Sequence, residues 1–151
     1  MFRGANKVTL DAKGRMAMPA RYRDTLVERS EGRLVATVDR ADRCLLIYPL
    51  PDWEEIERKL MRLPTLNPQA RRLQRLMVGH ATDLEFDSHG RVLVPPKLRE
   101  YAGLTRQAML IGQGSRFELW DEQHWNERRD AWLQAGEETG QLSSELEQLS
   151  L

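Results

Sequence analysis

Cysteine is nearly absent from this 151-residue chain, where Cys44 stands alone. One thiol makes neither a disulfide framework nor a cysteine-based zinc site. Histidine is scarce too, and His80, His89 and His124 share no ligand spacing, so no metal is expected. No apolar run approaches the ~18 residues that a membrane span requires, so no membrane partner is expected. The opening Met1-Phe2-Arg3-Gly4-Ala5-Asn6-Lys7 lacks the apolar centre of a secretory signal. Together these absences lead us to expect a cytoplasmic protein. Net charge is missing as well, 23 basic residues being matched by 23 acidic ones. That excludes a surface that is cationic all over and leaves room for a local basic face. Cofactor and catalytic signatures are also lacking. Gly112-x-Gly114 has Phe117 at the third glycine position, and a strand follows where the dinucleotide fingerprint needs a helix. No serine occupies a Gly-x-Ser-x-Gly elbow. The paired carboxylates Glu54-Glu55 and Glu137-Glu138 fall on helix surfaces or in the tail, without apolar enclosure. We therefore expect no enzyme, no cofactor and no small-molecule substrate.

What is present is enough for one globular domain, with 40% hydrophobic and 30% charged residues. The charge is unevenly placed. Residues 1–25 carry six basic side chains against two acidic, and 58–75 carry six basic and none acidic. Residues 121–151 reverse this, with eight acidic against two basic. A basic front cancelled by an acidic tail points to nucleic acid, while solvated helix faces would give the same asymmetry.

The chain repeats itself once. Val8 to Arg23 matches Leu84 to Arg99 at an offset of 76 residues, with Asp11/Asp87, Gly14/Gly90, Arg15/Arg91, Pro19/Pro95 and Arg23/Arg99 in register. Downstream, Arg43 to Tyr48 matches Arg116 to Asp121, and Trp53 answers Trp125 after a gap. The chain therefore divides into related halves, 1–76 and 77–151.

Each half reads alike. The alternating Val8-Leu10 and Leu84-Phe86 stretches predict strands with one buried face. Asp-x-x-Gly-Arg follows. A type II turn over Ala12-Lys13-Gly14-Arg15 would place glycine where φ must be positive, with the aspartate closing the turn through backbone N–H groups. Short strands at Met16–Met18 and Val92–Val94 come next, then proline-initiated helices over 20–28 and 96–102. Strand pairs at 34–38 with 44–48 and at 108–112 with 117–120 complete the sheet positions. Trp53, Ile56, Leu60 and Leu63 predict a closing helix, as do Trp125, Trp132 and Leu133. Between the halves a helix over 68–78 shows Arg71, Arg72 and Arg75 on one side and ends at Gly79, a C-cap position. Ser144-x-x-Glu147 suggests a capping box, with Leu142, Leu146 and Leu149 at helical spacing. Half of this chain is too small to bury a core alone, so one composite barrel made from both halves is expected. The fold class is α+β. Trp53, Trp120, Trp125 and Trp132 read as core or interface anchors, and Cys44 as a buried, inert thiol.

The motifs resemble those of the MraZ family of bacterial transcriptional regulators. The resemblance covers nearly the whole chain. It rests on Met1-Phe2-Arg3-Gly4, the two Asp-x-x-x-Arg copies, the run Cys44 to Glu54, Arg72-Leu73-Gln74-Arg75-Leu76 with Gly79-His80-Ala81, and Phe117-Glu118-Leu119-Trp120. It implies the swapped-hairpin β-barrel of AbrB-like proteins, with two tandem βαβ-type half-repeats pairing in one chain and flanked by helices. It further implies a ring-shaped homo-oligomer, nucleoid-associated, that represses its own division and cell-wall gene cluster by binding repeated promoter boxes in double-stranded DNA. The DNA-contacting arginine of the family motif maps onto Arg15 and Arg91. AbrB-like antitoxins, which bind a protein partner, are the alternative.

The residue chemistry agrees with a DNA role. An arginine at a hairpin can offer its planar fork to guanine O6 and N7, or take a phosphate. Lys13, Arg3, Lys7 and His89 are candidates for backbone contact. Asp11, Gly14, Asp87 and Gly90 are expected to build the turns. The other reading of Asp11 with Arg15 is an ion pair that merely holds the turn.

Overall fold

In the computed structural model, residues 1–139 and 143–150 are described, the side chains of 137–139 excepted. The first half contributes β1 (Phe2–Thr9), β2 (Arg15–Ala17), α1 (Ala20–Ser30), β3 (Arg33–Val38), β4 (Leu45–Pro49) and α2 (Leu50–Met61). A link of α3 (Pro68–Leu73) and a π-helical turn (Gln74–Val78) leads into β5 (Thr82–Glu85), β6 (Arg91–Leu93), α4 (Pro96–Ala102), β7 (Gln107–Gly114), β8 (Arg116–Asp121), α5 (Glu122–Thr139) and α6 (Ser144–Glu147). The class is α+β.

The strands form a six-stranded antiparallel sheet in the order β1-β7-β8-β4-β3-β5 and a two-stranded ribbon, β2-β6. Exchanging each strand for its repeat turns that order into its own reverse, which is a pseudo-two-fold axis. The ribbon shows it directly. Met16 pairs with Val92, its counterpart 76 residues on, flanked by Arg15↔Leu93 and Ala17↔Arg91. Within the sheet, β1 pairs with β7, β3 with β5 and β4 with β8, so only the β3–β4 and β7–β8 hairpins stay inside one half. Each β1-type strand has thus left its own half to pair with the other, which is the swapped arrangement.

Period-two burial explains why. Val8, Leu10, Met16 and Met18 turn inward from the first half, and Leu84, Val92 and Val94 from the second. They share one core with Leu34, Ile47, Leu110, Phe117 and Leu119, so ribbon and sheet enclose the same interior. Phe117 lies at its centre, with ring centroids 4.3 Å from Phe2 and 4.9 Å from Tyr22, both residues of the other half. The Tyr22 hydroxyl donates to the carbonyl of Arg3 and accepts from Asn6 Nδ2 at 2.8 Å, so the buried phenol is satisfied. A second apolar layer, Val35, Leu46, Tyr48, Trp53 and Leu60, places α2 against the outer face of β3 and β4. Among the described residues no helix is long and apolar enough to cross a membrane.

Several expectations need correction. β1 starts at Phe2, six residues before the apolar alternation becomes visible, because Gly4, Ala5 and Asn6 carry no pattern. The helix over 68–78 is α only to Leu73. Its last turn is π, with Gly79 N–H bonding to Gln74 O at 3.1 Å, which brings Leu73, Met77 and Val78 together on the α2 layer. Gly79 does end the helix but in right-handed conformation (φ −64°), so no left-handed cap forms. The capping box at Ser144 is absent, since Ser143 is the N-cap and makes no side-chain cap bond. Leu146 and Leu149 are exposed, and Leu142 lies outside the described residues.

Phe117→Ala should lower stability by about 3–5 kcal/mol in urea unfolding, as expected for a buried aromatic removed from a tight core. Loss should occur as one transition, because the two halves share that core.

Candidate nucleic-acid interface

Two matching turns flank the ribbon. In the first, Gly14 N–H bonds to Asp11 O at 2.9 Å and Asp11 N–H to Arg15 O at 2.9 Å. In the second, Gly90 N–H bonds to Asp87 O at 3.1 Å and Asp87 N–H to Arg91 O at 2.8 Å. Gly14 (φ +87°) and Gly90 (φ +72°) hold the left-handed position after each turn. This corrects the type II expectation. The turn runs from Asp11 to Gly14, and the glycine forms a bulge after it, the three-residue hairpin loop. The glycines have a second reason to lack a side chain. A Cβ on Gly14 would lie 2.5 Å from Arg99 Nε, and one on Gly90 2.5 Å from Arg23 Nη1. Each half's helix lays an arginine over the other half's turn.

The aspartates organise the arginines. Asp11 Oδ1 accepts from the backbone N–H of Arg15 at 2.8 Å and of Lys13 at 3.0 Å, while Oδ2 accepts from Arg15 Nε at 2.7 Å. Asp87 repeats this with Arg91 N (2.9 Å), His89 N (2.8 Å) and Arg91 Nε (2.9 Å). These bonds, first among them the backbone N–H of Arg15 or Arg91, hold both carboxyls below the ordinary carboxylate range. The clamp takes the Nε edge of each guanidinium. Among the described residues, no hydrogen bond occupies the terminal nitrogens of Arg15. Arg91 Nη1 lies 3.8 Å from Asp11 Oδ2, tying the two turns together.

Met16 and Val92 face the core, so Arg15, Ala17, Arg91 and Leu93 face outward. Arg15 and Arg91 are diagonal neighbours across the ribbon, a relation that sets Cα atoms about 7–8 Å apart. Their side chains are 32% and 29% exposed, and Leu93 beside them is 51% exposed. Lys13 and His89 occupy the exposed turn tips at matching places.

The structure therefore brings together Asp11, Lys13, Gly14, Arg15, Asp87, His89, Gly90 and Arg91. It does not bring Arg3 or Lys7 to the turns. Arg3 is opposite Gln113, seven residues along from Leu10, or roughly 23 Å of strand. Lys7 pairs with Glu122 at 3.2 Å. Arg23 and Arg99 were missed as site residues, although their recurrence at the repeat offset was visible. The tryptophans divide: Trp53 and Trp120 are buried, whereas Trp132 is 42% exposed and meets both Trp120 and Trp125 edge to face. Asp39, Cys44 and Glu118 approach one another, and burial, first of all, and the adjacent carboxylates push the Cys44 thiol up, which keeps it protonated and unreactive.

Fold and site together define a duplicated swapped-hairpin protein that displays a paired-arginine β-ribbon. The family model described as MraZ protein, with an antitoxin-like label, matches residues 1–76 and again 77–140. The chain belongs to the MraZ family. It is similar to proteins named Transcriptional regulator MraZ from Halorhodospira halophila (59% identical over 152 residues), Thioalkalivibrio sulfidiphilus (60% over 151) and Pseudomonas aeruginosa (57% over 151), each match covering 100% of both chains. These relatives are named for regulation of transcription and not for catalysis.

The lowered carboxyls predict acid sensitivity of the turns. Their contribution to stability is present in full above the unfolded carboxylate pKa of about 3.9 and is lost as pH falls through the lower folded value. Urea unfolding from pH 7 to pH 2.5 should show this loss, and a protein carrying Asp11→Asn with Asp87→Asn should show a shallower decline over the same range.

Proposed function

We propose that this chain is a sequence-specific regulator of transcription that binds double-stranded DNA through the β2–β6 ribbon and represses its own division and cell-wall gene cluster. The observation that carries this reading is the pair of outward arginines, each clamped by aspartate through Nε, with the terminal nitrogens of Arg15 free of hydrogen bonds among the described residues and Arg91 Nη1 near Asp11. A two-stranded ribbon fits the major groove, and a guanidinium fixed in direction can address guanine O6 and N7 in bidentate fashion. Fixing the arginine beforehand removes rotamer entropy that binding would otherwise cost. The clamp thus reconciles the ion-pair reading with the DNA reading, since the pair that holds the turn also aims the fork. Lys13 and His89 at the tips are placed for phosphates, and Arg3, exposed along β1, for a flanking phosphate.

In this reading 1–76 and 77–151 are half-repeats of one pseudo-dimeric unit, active in the cytoplasm at the nucleoid. Several such units close into a ring, and linked ribbons read repeated promoter boxes with avidity. Support for self-association comes from α5, which leaves Trp132 and Leu133 42% and 64% exposed. The antitoxin-like label of the family favours a second reading, a protein-partner module. A stoichiometric protein partner recovered with the chain, together with no preference among DNA sequences, would establish that alternative.

Fluorescence anisotropy tests the first reading with duplex from upstream of the chain's own coding start beside a scrambled duplex. Arg15→Ala and Arg91→Ala should each cost about 1–3 kcal/mol of discrimination while leaving the melting curve in place. Equal affinity of the Arg15→Ala protein and the unaltered chain for the target would refute the assignment. Separately, Trp132→Ala with Leu133→Ala should reduce the assembly mass in sedimentation velocity without unfolding the subunit.

A further inference from the structure

The two ends of the ribbon differ in charge although the backbone is pseudo-symmetric. Beside the first turn is an open concavity of about 640 Å³, lined by Asp11, Arg15, Arg91, Arg99, Thr105 and Arg106. Strand register supplies the corresponding residues at the other end. Thr9 pairs with Gln107 and Glu85 with Arg33, so Thr105 and Arg106 correspond to Glu31 and Gly32. The repeat offset makes Arg99 correspond to Arg23 and Lys13 to His89. Three of these positions around the first turn, Lys13, Arg99 and Arg106, are cationic. Their counterparts are the imidazole His89, the cation Arg23 and Gly32, with the anion Glu31 in place of Thr105 and the cation Arg33 in place of Gln107. Among the described residues, neither the Lys13 ammonium nor the Arg106 guanidinium makes a hydrogen bond or ion pair. Arg99 commits Nε to Val94 O at 2.9 Å.

We propose that the concavity beside the first turn, with Arg106 in its lining and Lys13 on the adjoining turn tip, is a clamp for one or two backbone phosphates of duplex DNA, whereas the concavity of about 420 Å³ beside the second turn, lined by Arg23 and His89, has no counterpart of Arg106 and holds phosphate more weakly. This rests on the DNA-binding reading above and adds a polarity to it. Arg15 and Arg91 can both address base edges, but the first end carries the stronger anchor, against His89 and Arg23 at the second. Phosphate contacts fix register and orientation without reading sequence. A stronger anchor on one side gives a nearly two-fold ribbon a defined direction on the duplex, so each subunit lies one way round on its box.

The test is the salt dependence of affinity for the upstream duplex and for the scrambled one, measured by anisotropy with the full chain. Each neutralised phosphate contributes about 0.9 to the log–log slope. Arg106→Gln and Lys13→Gln should each flatten the slope by about that amount, equally on both duplexes, and leave the preference for the target intact. Both side chains are exposed and unpaired, so melting curves should match the unaltered chain. Arg62→Gln, which removes the same charge from the C-terminal end of α2, should leave the slope unchanged. Target-preferring binding whose slope is the same in all four proteins would overturn the clamp and leave the DNA reading standing. Failure of the unaltered chain to bind any duplex would overturn both.

Discussion

Pairing of Met16 with Val92 across the pseudo-two-fold is the contact on which the rest depends. It joins one short strand from each half, and three residues are too few to form a stable ribbon alone. The ribbon persists because its inward side chains are also core side chains, shared with sheet strands of both halves. The same pleat that sends Met16 and Val92 inward sends Arg15 and Arg91 outward. Burial of one face and display of the other are therefore a single event, and a one-residue slip would put the arginines into the core.

Local chemistry then sharpens what the pleat provides. Asp11 and Asp87 each accept three hydrogen bonds from their own turn, two from backbone and one from arginine. Exposed ion pairs of this kind stabilise little, because water screens them and side-chain entropy opposes them. Their weight is directional. A free arginine samples many rotamers, whereas one bonded along Nε keeps a plane and an edge.

Much of this was legible in the sequence, because a duplication doubles every signal. Asp11, Gly14 and Arg15 recurring as Asp87, Gly90 and Arg91 marked both turns and their arginines before any fold was known. The apolar alternation marked β2, β6 and the inner strands. What escaped was set by partners distant along the chain. Phe2 to Asn6 form a strand only because β7 lies alongside, and Gly4, Ala5 and Asn6 show no apolar period. The π turn at Gln74 follows from the α2 layer that Leu73 and Met77 must both reach. Arg3 and Lys7, candidates for phosphate contact beside Lys13, lie apart from the turns, because an extended strand carries Arg3 away and Glu122 pairs with Lys7. Charge near in sequence is not charge near in space when the backbone is extended.

The crossing of Arg99 over Gly14 and of Arg23 over Gly90 makes each half the lid of the other. In an arrangement built from separate chains, that closure would hold only while two copies stay associated, and dilution would dissolve it. Here the link through α3 makes it intramolecular. The spacing between Arg15 and Arg91 is then a property of one molecule, independent of how many copies a cell contains.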